Sequence, residues 1–60
     1  MVKINNLPDY AYNYNFTVAR IYNGEWWFWG SYSTLQRAVE AATEIDGMVF
    51  HPDEFEAGDK

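Results

Sequence analysis

The strongest pattern along the chain lies between positions 16 and 32, where "FTVARIY" and "EWWFWGSY" flank an Asn-Gly pair. Both runs are rich in β-branched and aromatic residues, which fit a pleated, half-buried surface. Asn-Gly between two such runs predicts a β-hairpin, because a type I′ turn needs positive φ at both central residues. With Asn23 and Gly24 in the turn, Tyr22 faces Glu25, Ile21 faces Trp26, Arg20 faces Trp27, Ala19 faces Phe28 and Val18 faces Trp29. From Ser33 the spacing changes. Leu35, Ala38, Val39, Ala42 and Ile45 recur at helical intervals, predicting a helix over 33–46. Ser33 with Gln36 matches a capping box, and Gly47 is the expected left-handed stop. "MVFHP" then reads as a short closing strand ended by Pro52.

The flanks are less regular. Residues 1–15 form a tyrosine- and asparagine-rich arm in which Tyr10, Tyr12 and Tyr14 alternate, so an extended arm would place all three on one face. Residues 53–60, "DEFEAGDK", form an acidic tail with Phe55 as its one expected anchor, and fraying is expected there. The expected fold is α+β: a small antiparallel sheet of hairpin plus third strand, packed on one helix in ββαβ order over residues 16–52.

Alternation divides the hairpin into two faces. Thr17, Ala19, Ile21, Trp26 and Phe28, with Gly30 beyond, carry no charge and suit the underside of a helix. Phe16, Val18, Arg20, Tyr22, Glu25, Trp27 and Trp29 share the other face. One helix shelters one face, so the second set needs its own explanation. Three compete: the arm folds over it, a second copy covers it, or it binds another molecule. Arg20, Trp27, Trp29, Val18, Phe16 and Tyr22 are the candidate contact residues, since Trp, Tyr and Arg are frequent anchors of binding energy. Arg20 opposite Trp27 also invites stacking of a guanidinium on an indole. A bulge in either strand would exchange the faces.

Composition narrows the chemistry. Sixty residues allow one small core, and 20% of them are aromatic. With no cysteine and one histidine, His51, there are no disulfides, no thiolate metal sites and no His pair. "HPDEFE" gathers Asp53, Glu54 and Glu56 near His51, but an acidic tail in water is the simpler reading. No phosphate loop or nucleophile–base order occurs, so neither a cofactor nor enzymatic activity is expected. The formal charge of −5 arises from residues 31–60, where seven acids oppose Arg37 and Lys60. So few cations disfavour a nucleic-acid backbone as ligand. Two rival readings keep nucleic acid in view: base stacking on exposed aromatics, or an acidic surface imitating nucleic acid in a basic protein groove. No apolar run reaches a membrane span, and the first residues lack the order of a secretion signal.

"VARIYNGEWWFWGSYSTLQRAVEAATEIDGMVF" resembles a pattern in small uncharacterised proteins encoded by bacteriophages and prophages: strand, tight turn, aromatic strand, helix. The resemblance covers about residues 18–50 and brings no site residues with it. It implies a cytoplasmic setting in a bacterial or infected cell and an accessory role. The expectation is thus a non-catalytic interaction protein that pairs with a second copy or another protein through its aromatic sheet face.

Overall fold

A computed structural model describes all residues, 1–60. It holds five strands and one helix: β1 (Val2–Asn5), β2 (Phe16–Tyr22), β3 (Glu25–Tyr32), α1 (Leu35–Ile45), β4 (Met48–Phe50) and β5 (Phe55–Ala57). Short 3-10 turns occupy Asp9–Asn13 and Pro52–Glu54. All strands join one sheet in the order β4-β2-β3-β1-β5. β2 pairs antiparallel with β3 and β4, whereas β1 pairs parallel with β3 and β5. The α+β class stands, but the sheet is mixed and five-stranded rather than antiparallel and three-stranded. The two flanks supply the added strands.

The hairpin forms as its sequence dictates. Asn23 and Gly24 have φ of 51° and 78°, the positive pair a type I′ turn requires. Tyr22–Glu25, Ile21–Trp26, Arg20–Trp27 and Ala19–Phe28 are paired in the expected register. The register then slips. Val18 faces Gly30 instead of Trp29, so Trp29 is the extra residue of a β-bulge. The slip carries Gly30 and Tyr32 to the Val18 side and Ser31 to the Thr17 side. Gly30 makes room there for the Tyr32 ring, whose hydroxyl would sit 2.7 Å from any Cβ at position 30.

The sheet cannot be flat. β4 and β5 lie at opposite edges, yet only His51–Glu54 separates Phe50 from Phe55. Five residue steps reach at most about 18 Å. Four strand spacings across a flat sheet would already need roughly 19 Å, and the 3-10 turn shortens the link further. The sheet therefore curls until both edges approach a common interior. Phe50 and Phe55 accordingly share one core with Ile4, Ala11 and Ala19, against which Trp26, Phe28, Val2 and Leu7 pack. Ala19 is small enough for the rings of Trp26 and Phe50 to meet edge-to-face at 5.1 Å from the strands on either side.

This concave core corrects the expected use of the two faces. Thr17, Ala19, Ile21, Trp26 and Phe28 were expected beneath the helix; Thr17, Ala19, Trp26 and Phe28 instead line the inside of the curl under the arm, and Ile21, near the hairpin turn, is 52% exposed. Ala11 is sealed in the core, Tyr10 stands edge-on to Phe28 at 6.3 Å, and Tyr12 leans on Phe55 at 5.3 Å. The arm is thus not extended, and its tyrosines do not share one face. The Asp9–Asn13 turn points Tyr10 and Tyr12 at different partners.

α1 packs on the opposite, convex face. Its Ala38 and Ala42 sit over Val18, with Phe16, Tyr32, Ala41, Ile45 and Val49 around them. The small residues let the helix approach the strand, and the buried stripe is narrower than the sequence pattern. Leu35 and Val39, counted in that stripe, remain about half exposed at 54% and 47%. The caps move by one residue at each end. Thr34, not Ser33, accepts the Arg37 amide, and Asp46, not Gly47, takes the left-handed conformation at φ 56°. Gly47 is needed for a different reason: a Cβ there would lie 2.6 Å from the Ala19 carbonyl.

The acidic tail is a structural element. Phe55 is fully buried, and β5 pairs with β1 through Val2–Phe55, Lys3–Glu56 and Ile4–Ala57. Beyond it, the Gly58 amide donates to the Ile4 carbonyl, and the Asn6 amide to the Lys60 carbonyl. The Lys60 ammonium reaches Glu25 Oε2 at 2.9 Å, and the Asn5 amide reaches Oε1 of the same carboxylate at 2.9 Å. Residues 53–60 therefore do not fray; they clasp the N-terminal strand to the hairpin.

Candidate interaction surface

The convex face is only partly roofed by α1, whose contacts run over β2, β4 and the near part of β3. Strand pairing places Arg20, Trp27 and Asn5 in one row across β2, β3 and β1, with Tyr22 and Glu25 paired in the next. Arg20 and Trp27 are half-buried, and Tyr22 is 55% exposed. Trp29 is 51% exposed, the most open of the three tryptophans. Its exposure follows from the bulge, which removes it from the paired ladder. Without the extra residue, Trp29 would lie opposite Val18.

The six expected contact residues therefore separate. Val18 is fully buried beneath α1. Phe16 is half-buried in the same cluster, with its ring 5.2 Å from that of His51. Neither is open to a partner, because the helix occupies their side of the sheet. Arg20, Tyr22 and Trp27 remain on the open part, and Trp29, unpaired at the bulge, is exposed on the same hairpin. Arg20 makes no ion pair; the chain's two such contacts are His51–Glu54 and Lys60–Glu25. Nor does it stack on the Trp27 indole. The Trp27 Nε1 hydrogen is shielded from solvent and meets no acceptor within the chain.

Glu25 borders this patch as its place on the face implies, whereas its partners Asn5 and Lys60 were not anticipated there. Lys60 Nζ and then the Asn5 amide hydrogen-bond the Glu25 carboxylate, lowering its pKa, while the same carboxylate raises that of Lys60. A sequence signal for this clasp existed. "VKI" and "FEA" are apolar–charged–apolar triplets of opposite charge, and the structure sets Lys3 beside Glu56.

A second feature lies at the end of β4. An open cleft of about 600 Å³ is lined by Asn15, Phe16, His51, Pro52, Asp53 and Glu54. Glu54 Oε1 accepts the His51 amide at 2.7 Å and lies 3.4 Å from Nδ1 of the same residue. The hydrogen bond donated by the His51 backbone amide is the main cause of the lowered Glu54 pKa. His51, Asp53, Glu54 and Glu56 do not converge as a metal-binding group. No helix is long and apolar enough to cross a membrane. Comparison with protein-family models, curated proteins and solved structures finds no match to this chain.

Proposed function

We propose that this protein is a non-catalytic interaction module, an accessory protein of the phage-encoded kind its sequence resembles, that uses the open convex face of its hairpin to associate with a second copy or another protein. One observation carries the reading: Tyr22 and Trp29 of the hairpin stand half exposed, and Arg20, in the row next to Tyr22, has no acidic partner. Trp, Tyr and Arg are the side chains that most often dominate binding energy at protein interfaces. The bulge adds weight, because bulges re-aim side chains and recur at functional edges. A tryptophan left half exposed forgoes part of the burial it could gain in folding, so contact with another surface gives its position a use.

Light scattering across a concentration series tests the proposal, with the wild-type chain beside a Trp29→Ala, Tyr22→Ala double variant. Wild-type mass should rise with concentration, or a partner should be retained, while the double variant stays folded and monomeric. A wild-type chain that remains monomeric at millimolar concentration, and whose associations the double substitution does not weaken, overturns the reading. Quenching of the indoles by a short oligonucleotide at low salt would instead favour base stacking on this face.

A further inference from the structure

The second place where the molecule is open to a partner is the outer edge of β4, away from the hairpin patch. β4 has one strand neighbour, β2. No backbone hydrogen bond outside the sheet and helix involves Met48, Val49 or Phe50, and no side chain bonds their backbone. The outward N–H and C=O groups of this strand are therefore unpaired within the chain. Proteins usually blunt such an edge with lysine, an inward charge or a bulge. β4 is short, three residues with Pro52 two places on, but carries no lysine, inward charge or bulge; its sequence is Met-Val-Phe, and Met48 is 53% exposed. β5, at the other edge, carries Glu56 at its centre.

The surroundings of β4 select the partner's charge. From position 38 to position 59 the chain contains no Lys or Arg and seven acids. Asp46 precedes the strand, Asp53 and Glu54 follow it, and Glu40 and Glu44 lie on the helix packed against it. A second copy would bring the same acidic segment to this edge, and like charges across an interface oppose association. The cleft of Asn15, Phe16, His51, Pro52, Asp53 and Glu54 opens where β4 ends. Phe16 and Pro52 offer apolar surface to an aliphatic stem, and Asp53 and Glu54 offer carboxylates to the cation at its tip, the arrangement a lysine or arginine side chain needs.

We infer that the free edge of β4 and the cleft at its end take an extended, lysine- or arginine-bearing segment of a partner protein by strand addition. Main-chain hydrogen bonds would hold the segment, and the acidic cleft would select its charge. This site is separate from the hairpin face, so it stands or falls independently of the association proposed above.

The test uses a short, end-capped peptide of alternating lysine and valine, its glutamate–valine counterpart, and a lysine–valine peptide with alternate amides N-methylated. Binding to the full chain is followed by titration calorimetry and by amide chemical-shift mapping. The lysine peptide should bind and shift Met48, Val49, Phe50, His51 and Glu54, while the glutamate peptide should not bind. N-methylation in the pairing register should weaken binding at least tenfold. Asp53→Asn, an exposed change that leaves the His51–Glu54 contact in place, should weaken it severalfold. Equal binding of the N-methylated peptide, shifts centred on Arg20 and Trp29, or no binding at millimolar peptide each overturns the inference.

Discussion

The two faces of the sheet are built from the same hairpin, yet they are completed by different parts of the chain. The concave face is closed by segments remote from the hairpin: Ile4 from β1, Ala11 from the arm and Phe55 from β5. The convex face is closed by α1, which follows β3 directly, and only in part. The difference teaches that alternation decides which side chains point together, but not which segment covers them. A sealed face identifies its residues as core; a partly sealed face leaves residues over for contact. Trp26 and Trp27 are neighbours in sequence and fall on opposite sides of that division.

The most damaging test of the comparison removes the remote anchor. Phe55→Ala empties the centre of the concave core, where a Phe→Ala change costs about 3–5 kcal/mol. A single core in so short a chain supplies only about 3–5 kcal/mol in all. The variant should therefore be largely unfolded at 25 °C by circular dichroism, with dispersed amide resonances lost. A folded variant with only a slightly lowered melting temperature would show that the tail is an accessory to the fold and not part of its core.

Next in size is Gly58→Ala. A Cβ at that position would collide with Asn5 Oδ1, so Asn5 must turn or the chain after β5 must shift. Either movement disturbs the Asn5–Glu25–Lys60 contacts. Overpacking of this kind costs about 1–3 kcal/mol, to be read from the denaturant midpoint. Protection of the Gly58 and Asn6 amides from hydrogen exchange should fall more than protection in β2. Uniform loss across the sheet would mean that the clasp and the hairpin open as one unit.

These two variants also mark where the sequence was readable. The hairpin and its first four pairs were legible because Asn-Gly is a local signal and pairing follows from the turn. The helix was legible from its period, and its caps to within one residue. The bulge at Trp29 was not, since nothing in "EWWFWG" distinguishes an extra residue from an ordinary position. Nor was the side on which α1 sits. That depends on Ile4 and Phe55 occupying the concave face, through parallel pairings between residues 22 and 53 positions apart in sequence. A lone phenylalanine in "DEFEAGDK" looks like a weak anchor in a solvated tail; it becomes the largest fully buried side chain because the sheet curls around it. Of the contact residues, those misread were Val18 and Phe16, and for the same reason: the helix took their side.

Trp29→Ala probes the other half of the comparison. Trp29 is 51% exposed, so its truncation should cost roughly 1 kcal/mol, well short of a core truncation. Trp26→Ala, one ring of the Trp26–Phe50 pair, should cost several times as much. Urea denaturation of the two variants gives the ratio directly. Equal losses would mean that Trp29 is structural, and the hairpin face would lose its main claim as a contact surface.

The smallest expected effect is electrostatic, because the charged groups of the clasp face water. Glu25 is held below its ordinary pKa of 4.5, first by the Lys60 hydrogen bond and then by Asn5. Its contribution is therefore complete above that ordinary value and is lost as pH falls through the lowered folded one. Lys60 is held above its ordinary 10.5 by Glu25, so its contribution is complete below 10.5 and is lost as pH rises through the raised value. The clasp should thus be intact between these limits and weaken beyond either. Glu54, lowered by the His51 amide, adds to the acid limb alone. Lys60→Met should flatten the alkaline limb of the denaturant midpoint and shrink the acid limb without abolishing it, since Asn5 and Glu54 still act there. If the acid limb is unchanged in that variant, Asn5 alone holds Glu25, and the cation is incidental to how the tail is fastened to the hairpin.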